Sequence, residues 1–314
     1  MQAVTIVDGD LQWSTHPDPE PSDTEILVAV RAAGLNAADL LQRRGFYPAP
    51  PGAPPDIPGL ELAGEVVALG RRVSRFDVGD RVMALVGGGA QAELATVDET
   101  SAWAVPADVP WKEAGGFPEG FATAYDALFS QCGMVVGDRL LVTGAAGGVG
   151  TAAVQLAAVS GVSVVASVRT VEHRAVVKAL GATAALDPEE ALGRGPFDVA
   201  LELVGGSSLP GVLRAMAAGG RIAVIGMGGG ASMELELVEL MHRRARIGGS
   251  TLRSRSATEK AVVVGQVEAH VLRSFASRRV RVPVHATFPM EDAVEAYASF
   301  EAGKKLGKIV LVIE

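Results

Sequence analysis

The stretch LLVTGAAGGVGTAAVQLAA (140–158) decides how this chain folds, because it sets four glycines within seven positions between two apolar runs. RLLVT reads as a short apolar strand and GTAAVQLAAVS as a helix, so the glycines fall on a strand-to-helix turn. In register with the pattern G-x-G-x-x-G the turn reads Ala145, Gly147 and Gly150, with alanine in the first place. Gly147 lets the backbone approach a pyrophosphate, and Gly150 lets the helix pack closely on the strand. The helix amino terminus offers unpaired N–H groups to the same anion. A tight turn without a ligand is the alternative, and the sequence on either side favours binding.

Downstream of the turn, strands and helical segments alternate: VSVVASV, EHRAVVKALG, DVALELVG, LRAMAAGG and RIAVIG. That rhythm predicts a parallel sheet with helices on both faces, built of strands buried on both sides. Upstream, to about residue 110, short runs such as EILVAVRAAG, GEVVALG and DRVMALV are separated by Gly, Pro and Asp, which predicts an antiparallel, barrel-like module. The Pro-rich stretch YPAPPGAPPDIPG (47–59) reads as a rigid active-site loop within that module. After about residue 250 come a helical stretch (EKAVVVGQVEAHVLRSF), strand-like RVPVHATF, a helix (EDAVEAYASFEAG) and a last strand, KIVLVIE.

With 314 residues and 48% hydrophobic content the chain is long enough for two well-buried domains. The net charge of −8 argues against a nucleic-acid partner, since phosphate backbones require concentrated Lys and Arg. A single cysteine, Cys132, excludes internal disulfides and fits a reducing compartment. The amino terminus carries no signal-peptide pattern and no apolar run spans a bilayer, so the expected compartment is the cytoplasm, without a membrane partner.

A dinucleotide site that prefers NAD places Asp or Glu at the end of the second strand. Here that strand ends Ala166-Ser167-Val168-Arg169, with Glu172, His173 and Arg174 following. Ser167, Arg169 and Arg174 are candidates to surround a 2'-phosphate, which favours NADPH; the alternative gives the ribose to Glu172. Metal ligands are sparse: Cys132 stands alone, and His16, His173, His242, His270 and His285 are scattered, so no catalytic zinc is expected. Hydride delivery to an electron-poor acceptor then needs only donors for the developing oxyanion. Asn36 and Tyr47, in AAGLNAADLLQRRGFYP, are the catalytic candidates, while Tyr125 and Tyr297 sit in helical patterns as core residues.

These motifs resemble one family. AAGLNAADLLQRRGFYPAPPGAPPDIPGLELAGEV (32–66), FPEGFATAYDALF (117–129), the glycine turn, GGRIAVIG (219–226), GGSTLRSRS (248–256) and GKKLGKIVLV (303–312) run in family order. The chain resembles zinc-independent medium-chain dehydrogenases/reductases of the NADPH:quinone oxidoreductase branch that includes zeta-crystallin, most of all the p53-inducible quinone oxidoreductase subgroup. The resemblance implies an α/β protein: a GroES-like β-barrel catalytic domain of residues 1–114 and 251–314, with a Rossmann doubly wound parallel-sheet domain of residues 115–250 inserted. It places Asn36 and Tyr47 in the substrate pocket, Thr123 by the nicotinamide carboxamide, and Ala146, Gly147, Gly148 and Val149 on the pyrophosphate, ahead of Gly150. It sets His173 and Arg174 near the 2'-phosphate, Gly226 and Leu252 beside the nicotinamide, and Lys308 in the closing segment with Lys304 and Lys305. A homodimer and a small-molecule quinone or enone substrate are further implications.

Several positions depart from the family pattern, and His173 and Arg174 stand where many relatives place a 2'-phosphate lysine. Ala37 replaces an arginine, Pro188 falls where some relatives carry a tyrosine near the ribose, Gln91 stands where an aromatic residue is usual, and Leu60 replaces the histidine of the zinc-binding Gly-His-Glu. The leading expectation is an NADPH-dependent quinone reductase, with an enoyl or 2-alkenal reductase as its rival. A crystallin-like NADPH-binding protein of little activity is the expectation from a different class.

Overall fold

The computed structural model describes residues 1–314 and divides the chain into two units, Met1–Gly120 with Leu252–Glu314, and Phe121–Thr251. The first unit runs past the expected boundary at residue 114 because the segment beyond it is tied to the first unit's strands. Gly34 N donates to Gly115 O at 2.9 Å and Glu119 N donates to the Glu61 carboxylate at 2.8 Å.

The first unit begins with a hairpin, β1 (Gln2–Val7) and β2 (Asp10–Thr15), turned by Asp8 and Gly9, both at positive φ as a two-residue type I' loop requires. β3 (Glu25–Gly34) alternates buried Ile26, Val28 and Val30 with half-buried neighbours, the period of a strand with one face in the core. It pairs antiparallel with β4 (Glu61–Leu69) and β6 (Leu94–Asp98); β4 pairs in turn with β5 (Arg81–Leu85), and β5 with β7 (Ala102–Ala104).

The second unit is a six-stranded parallel sheet: β8 (Arg139–Val142), β9 (Ser163–Ser167), β10 (Ala184–Leu186), β11 (Phe197–Glu202), β12 (Met216–Val224) and β13 (Arg246–Gly249). Its order is β10-β9-β8-β11-β12-β13, which counted within the unit is 3-2-1-4-5-6, with the switch point between β8 and β11. Leu140, Leu141, Val142, Val199, Ala200 and Leu201 are fully buried, as strands covered on both faces demand. Helix Gly148–Val159 joins β8 to β9 and helix Val171–Ala179 joins β9 to β10.

Returning to the first unit, helix Ala257–His270 starts on a capping box: Glu259 N donates to Ser256 Oγ and Ser256 N to Glu259. Trp103 Nε1 fastens this helix to β7 by donating to Val264 O at 3.0 Å. The last strands, β14 (Val284–Pro289) and β15 (Lys308–Val312), are joined through helix Ala293–Glu301 and therefore run parallel to one another. β15 pairs antiparallel with β3, so the closing segment joins the antiparallel module and adds one parallel pair, β14 with β15, at its edge. No helix is long and apolar enough to cross a membrane.

Candidate active site

In the second unit the glycine turn meets the end of β9, where Ala145 N donates to Ser167 O at 3.2 Å. Gly147 is the N-cap of helix Gly148–Val159, and no side chain caps that helix, which leaves the anion-seeking end of its dipole to a ligand. A Cβ on Gly150 would lie 2.6 Å from Ala145 Cα and Gly144 O, so the close approach of helix to turn requires glycine. Across the switch point, the fully buried Glu202 accepts from Thr143 Oγ1 (2.9 Å), Val204 N (2.7 Å), Gly205 N (2.9 Å) and Ser208 Oγ (3.0 Å). This carboxylate shapes the turn after β11, and the sequence reading missed it. Gly226 packs against the Leu203 carbonyl with no room for a side chain. The Cβ-free turn and the uncapped helix end fit a dinucleotide pyrophosphate.

At this same end of β9, Ser167 is buried and Arg169 exposed, while Arg174 Nε donates to Val168 O at 3.0 Å. Arg174 therefore has one donor engaged with the backbone, and its remaining guanidinium donors are what can meet a phosphate. The amides of Glu190 and Glu189, aided by the Arg174 charge, hold Asp187 below the usual carboxylate value as it caps the next helix. His173 lies half-buried in the first turn after β9, and Thr123 is buried in helix Pro118–Tyr125.

In the first unit a buried polar cluster gathers residues that are far apart in sequence. Lys308, at the start of β15, forms an ion pair with Glu61 of β4 in which both side chains are almost wholly buried. Lys308 Nζ also donates to Asn36 Oδ1 at 2.7 Å. The Asn36 amide donates to Glu61 Oε1 (3.0 Å) and Gly34 O (3.3 Å), so its hydrogens are engaged inside the protein rather than aimed at a substrate oxygen. The expectation for Asn36 is corrected accordingly: a buried carboxylate needs donors, and Glu61 takes them from Asn36, Lys308 and Glu119 N. Lys308 likewise faces Glu61 and Asn36 in this cluster, a setting the resemblance did not imply.

Asp39 continues the cluster. Its Oδ2 accepts Asn36 N at 2.8 Å and Gln91 Nε2 at 3.5 Å, while its buried Oδ1 has no partner. Burial pushes the Asp39 carboxyl up to about 7, and Glu61 adds to the rise, against the Asn36 amide and the charges of Lys308 and Arg253. Gln91 carries the network to Tyr297, whose hydroxyl donates to Gln91 Oε1 at 2.9 Å. Tyr297 is a core residue as expected, and the fully buried Gln91 serves it, because a buried phenol needs an acceptor.

Tyr47 is half-buried on the loop beyond helix Ala37–Arg43. Arg253, 5% exposed, donates to Tyr47 O (2.8 Å), Gly87 O (2.8 Å) and Gln42 Oε1 (2.5 Å), with its guanidinium 5.0 Å from the Tyr47 ring centre. Nothing in the residue pattern distinguished Arg253 beyond its place in GGSTLRSRS. Leu252 beside it is buried. No three His, Cys, Asp or Glu side chains converge as a metal site, and burial pushes the Cys132 thiol up to about 11, as suits a packing residue.

With this geometry in hand, comparison with known proteins assigns the fold. Residues 22–107 match the alcohol dehydrogenase GroES-like domain and residues 148–265 the zinc-binding dehydrogenase family, so the chain is an α/β protein with a GroES-like and a Rossmann unit. A quinone oxidoreductase-like protein 2 homolog of Nematostella vectensis is 30% identical over 92% of this chain and 81% of its own length. The quinone oxidoreductase of Rattus norvegicus is 29% identical over 94% of this chain and 91% of its own. A mycobacterial protein solved in complex with NADPH superposes with a TM-score of 0.88 at 27% identity, over 100% of both chains. The chain belongs to the quinone oxidoreductase-like family of medium-chain dehydrogenases/reductases.

Proposed function

We propose that this oxidoreductase is an NADPH-dependent quinone reductase that works without a metal. The observation that carries the reading is the uncapped, glycine-built helix terminus at the switch point of the 3-2-1-4-5-6 sheet, an arrangement that suits a dinucleotide pyrophosphate. Ala146, Gly147, Gly148, Val149 and Gly150 would hold the pyrophosphate, and Thr123, Gly226 and Leu252 would serve the nicotinamide. Ser167, Arg169, His173 and Arg174, with no carboxylate at the end of β9, support a 2'-phosphate and hence NADPH. Bound NADPH supplies a hydride to the acceptor.

The chain's own residues then manage charge and protons. Tyr47 donates its phenolic proton to the acceptor oxygen. Asn36, at the N-cap of helix Ala37–Arg43, is held by the buried Lys308–Glu61 pair, which steadies the helix that leads to Tyr47. β13 ends the parallel sheet with an open edge, and the neighbouring helix Leu237–Arg243 exposes Leu237, Val238 and Met241, which supports a homodimer formed along this edge.

The test is the initial rate of NADPH oxidation, beside NADH, with an ortho-quinone and with a 2-enal. NADPH-selective turnover of the quinone is the expected result. Turnover of the enal alone would transfer the reading to activated C=C reduction, and tight NADPH binding without either turnover would leave a nucleotide-binding protein.

A further inference from the structure

Helix Ala293–Glu301 is followed by the connection 302–307, which leads into β15. Gly303 N donates to Phe300 O at 3.2 Å, and Gly303, Lys304 and Gly307 all stand at positive φ. A Cβ on Gly307 would collide with Pro283 O, to which Lys308 N donates at 2.9 Å, so the connection is held at both ends. Its two lysines are placed differently. Lys304 is exposed, while Lys305 is half-buried with its ammonium 3.7 Å from the centre of the Phe300 ring. Phe300 itself packs against the core of the first unit.

No carboxylate pairs with Lys305. Glu301, in the helix before it, is taken by Arg44 at 2.9 Å and by Arg43 at 4.0 Å, and Glu61 is engaged by Lys308. The neighbouring Lys304 brings only a like charge. Burial pushes the Lys305 amine down to about 8, and the Lys308 ammonium adds to the fall. The ring face attracts the ammonium, yet it carries no full charge to hold the proton as a carboxylate would. Partial desolvation beside another cation is the setting in which a lysine becomes a nucleophile.

We propose that Lys305 is a covalent modification site, an amine nucleophile that takes aldehydes as imines. In this step the Nζ lone pair forms a bond to the aldehyde carbon as the carbonyl π bond opens. Both amine hydrogens then leave with the carbonyl oxygen as water, and a C=N bond replaces C=O, with nothing oxidised or reduced. Half-burial selects the small carbonyl, since an aldehyde brings one carbon substituent to the amine where a ketone brings two. The inference is independent of the roles given to Tyr47 and to the hydride acceptor.

The test is reductive methylation of the intact protein with limiting formaldehyde and cyanoborohydride, followed lysine by lysine by peptide mass spectrometry. Cyanoborohydride reduces each imine once it has formed and so records it. Lys112, Lys178 and Lys304 are exposed and serve as references. At about pH 7.5 an amine at about 8 is about one-quarter neutral, against about 0.1% for one at the ordinary 10.5. Allowing for its weaker basicity, Lys305 is expected to react about tenfold faster than the references. Its rate should level off above about pH 8.5 while theirs continues to climb. Lys305→Arg should remove the fast site and leave the other rates as they were. Lys305 reacting no faster than Lys304, or with a pH profile parallel to that of Lys304, overturns the proposal, as does a fast lysine that survives Lys305→Arg. The readout needs neither cofactor nor turnover, so it stands apart from the outcome of the quinone assay.

Discussion

The glycine turn of the second unit and the polar cluster of the first are built on opposite plans. The turn is made of consecutive residues whose backbone does the work: Gly144 at φ +59°, Gly147 as N-cap, and Gly150 pressed on Ala145. The cluster is made of side chains from five places along the chain, with sequence separations of 272 for Asn36 and Lys308 and 206 for Gln91 and Tyr297. A backbone site tolerates many neighbours but few substitutions within itself. A side-chain cluster is an interdependent set of charges, in which each member is stable only because the others are present.

The sharpest way to break this comparison is Lys308→Met, which strands the Glu61 carboxylate. It should lower stability by about 3–5 kcal/mol in urea unfolding, and pairing it with Glu61→Gln should restore much of the loss. Titration of Asp39 comes next. Its carboxyl holds a proton up to about 7 when folded and only to the ordinary 3.8 when unfolded. The unfolded chain therefore loses that proton first, and stability contributed by Asp39 falls as pH rises from about 4 to 7, by up to about 1.4 kcal/mol per unit, and is flat above. Asp39→Asn should abolish this slope, which unfolding curves at about pH 5 and about pH 8 will reveal.

On the backbone side, Gly150→Val should weaken NADPH binding about a hundredfold in nucleotide fluorescence titrations, because the clash is with main chain that cannot yield. Tyr47→Phe should reduce turnover of a 2-enal about a hundredfold and of a quinone about tenfold, since only the former must protonate carbon. The smallest effect is expected for Arg174→Ala: about tenfold weaker binding of NADPH with NADH unchanged, given that part of this guanidinium is already bonded to Val168 O.

Much of the fold was readable because its signals are local. Apolar strands such as VSVVASV and the strand–glycine–helix rhythm identified the parallel sheet, and the alternation in EILVAVRAAG identified the half-buried β3. The parallel pairing of β14 and β15 was not readable, because pairing direction follows from where the intervening helix crosses. In the candidate site the glycine turn was legible, and Asn36 was singled out with the wrong bonding. Its amide looked available because Glu61 and Lys308, which occupy it, are remote in sequence. Asp39, Gln91, Glu202 and Arg253 carried no pattern of their own; each is defined by the polar partners that folding brings to it.

By itself the sequence determined the glycine turn, the two-part organisation and the family, since backbone geometry, hydrophobic period and motif order are written in neighbouring residues. Only the tertiary structure decided which charges face one another: Lys308 on Glu61, Asn36 engaged by both, Asp39 raised, Arg253 against Tyr47. The reason is physical. Burial and Coulomb energies depend on distance in space and on exclusion of water, and neither is a property of position along the chain.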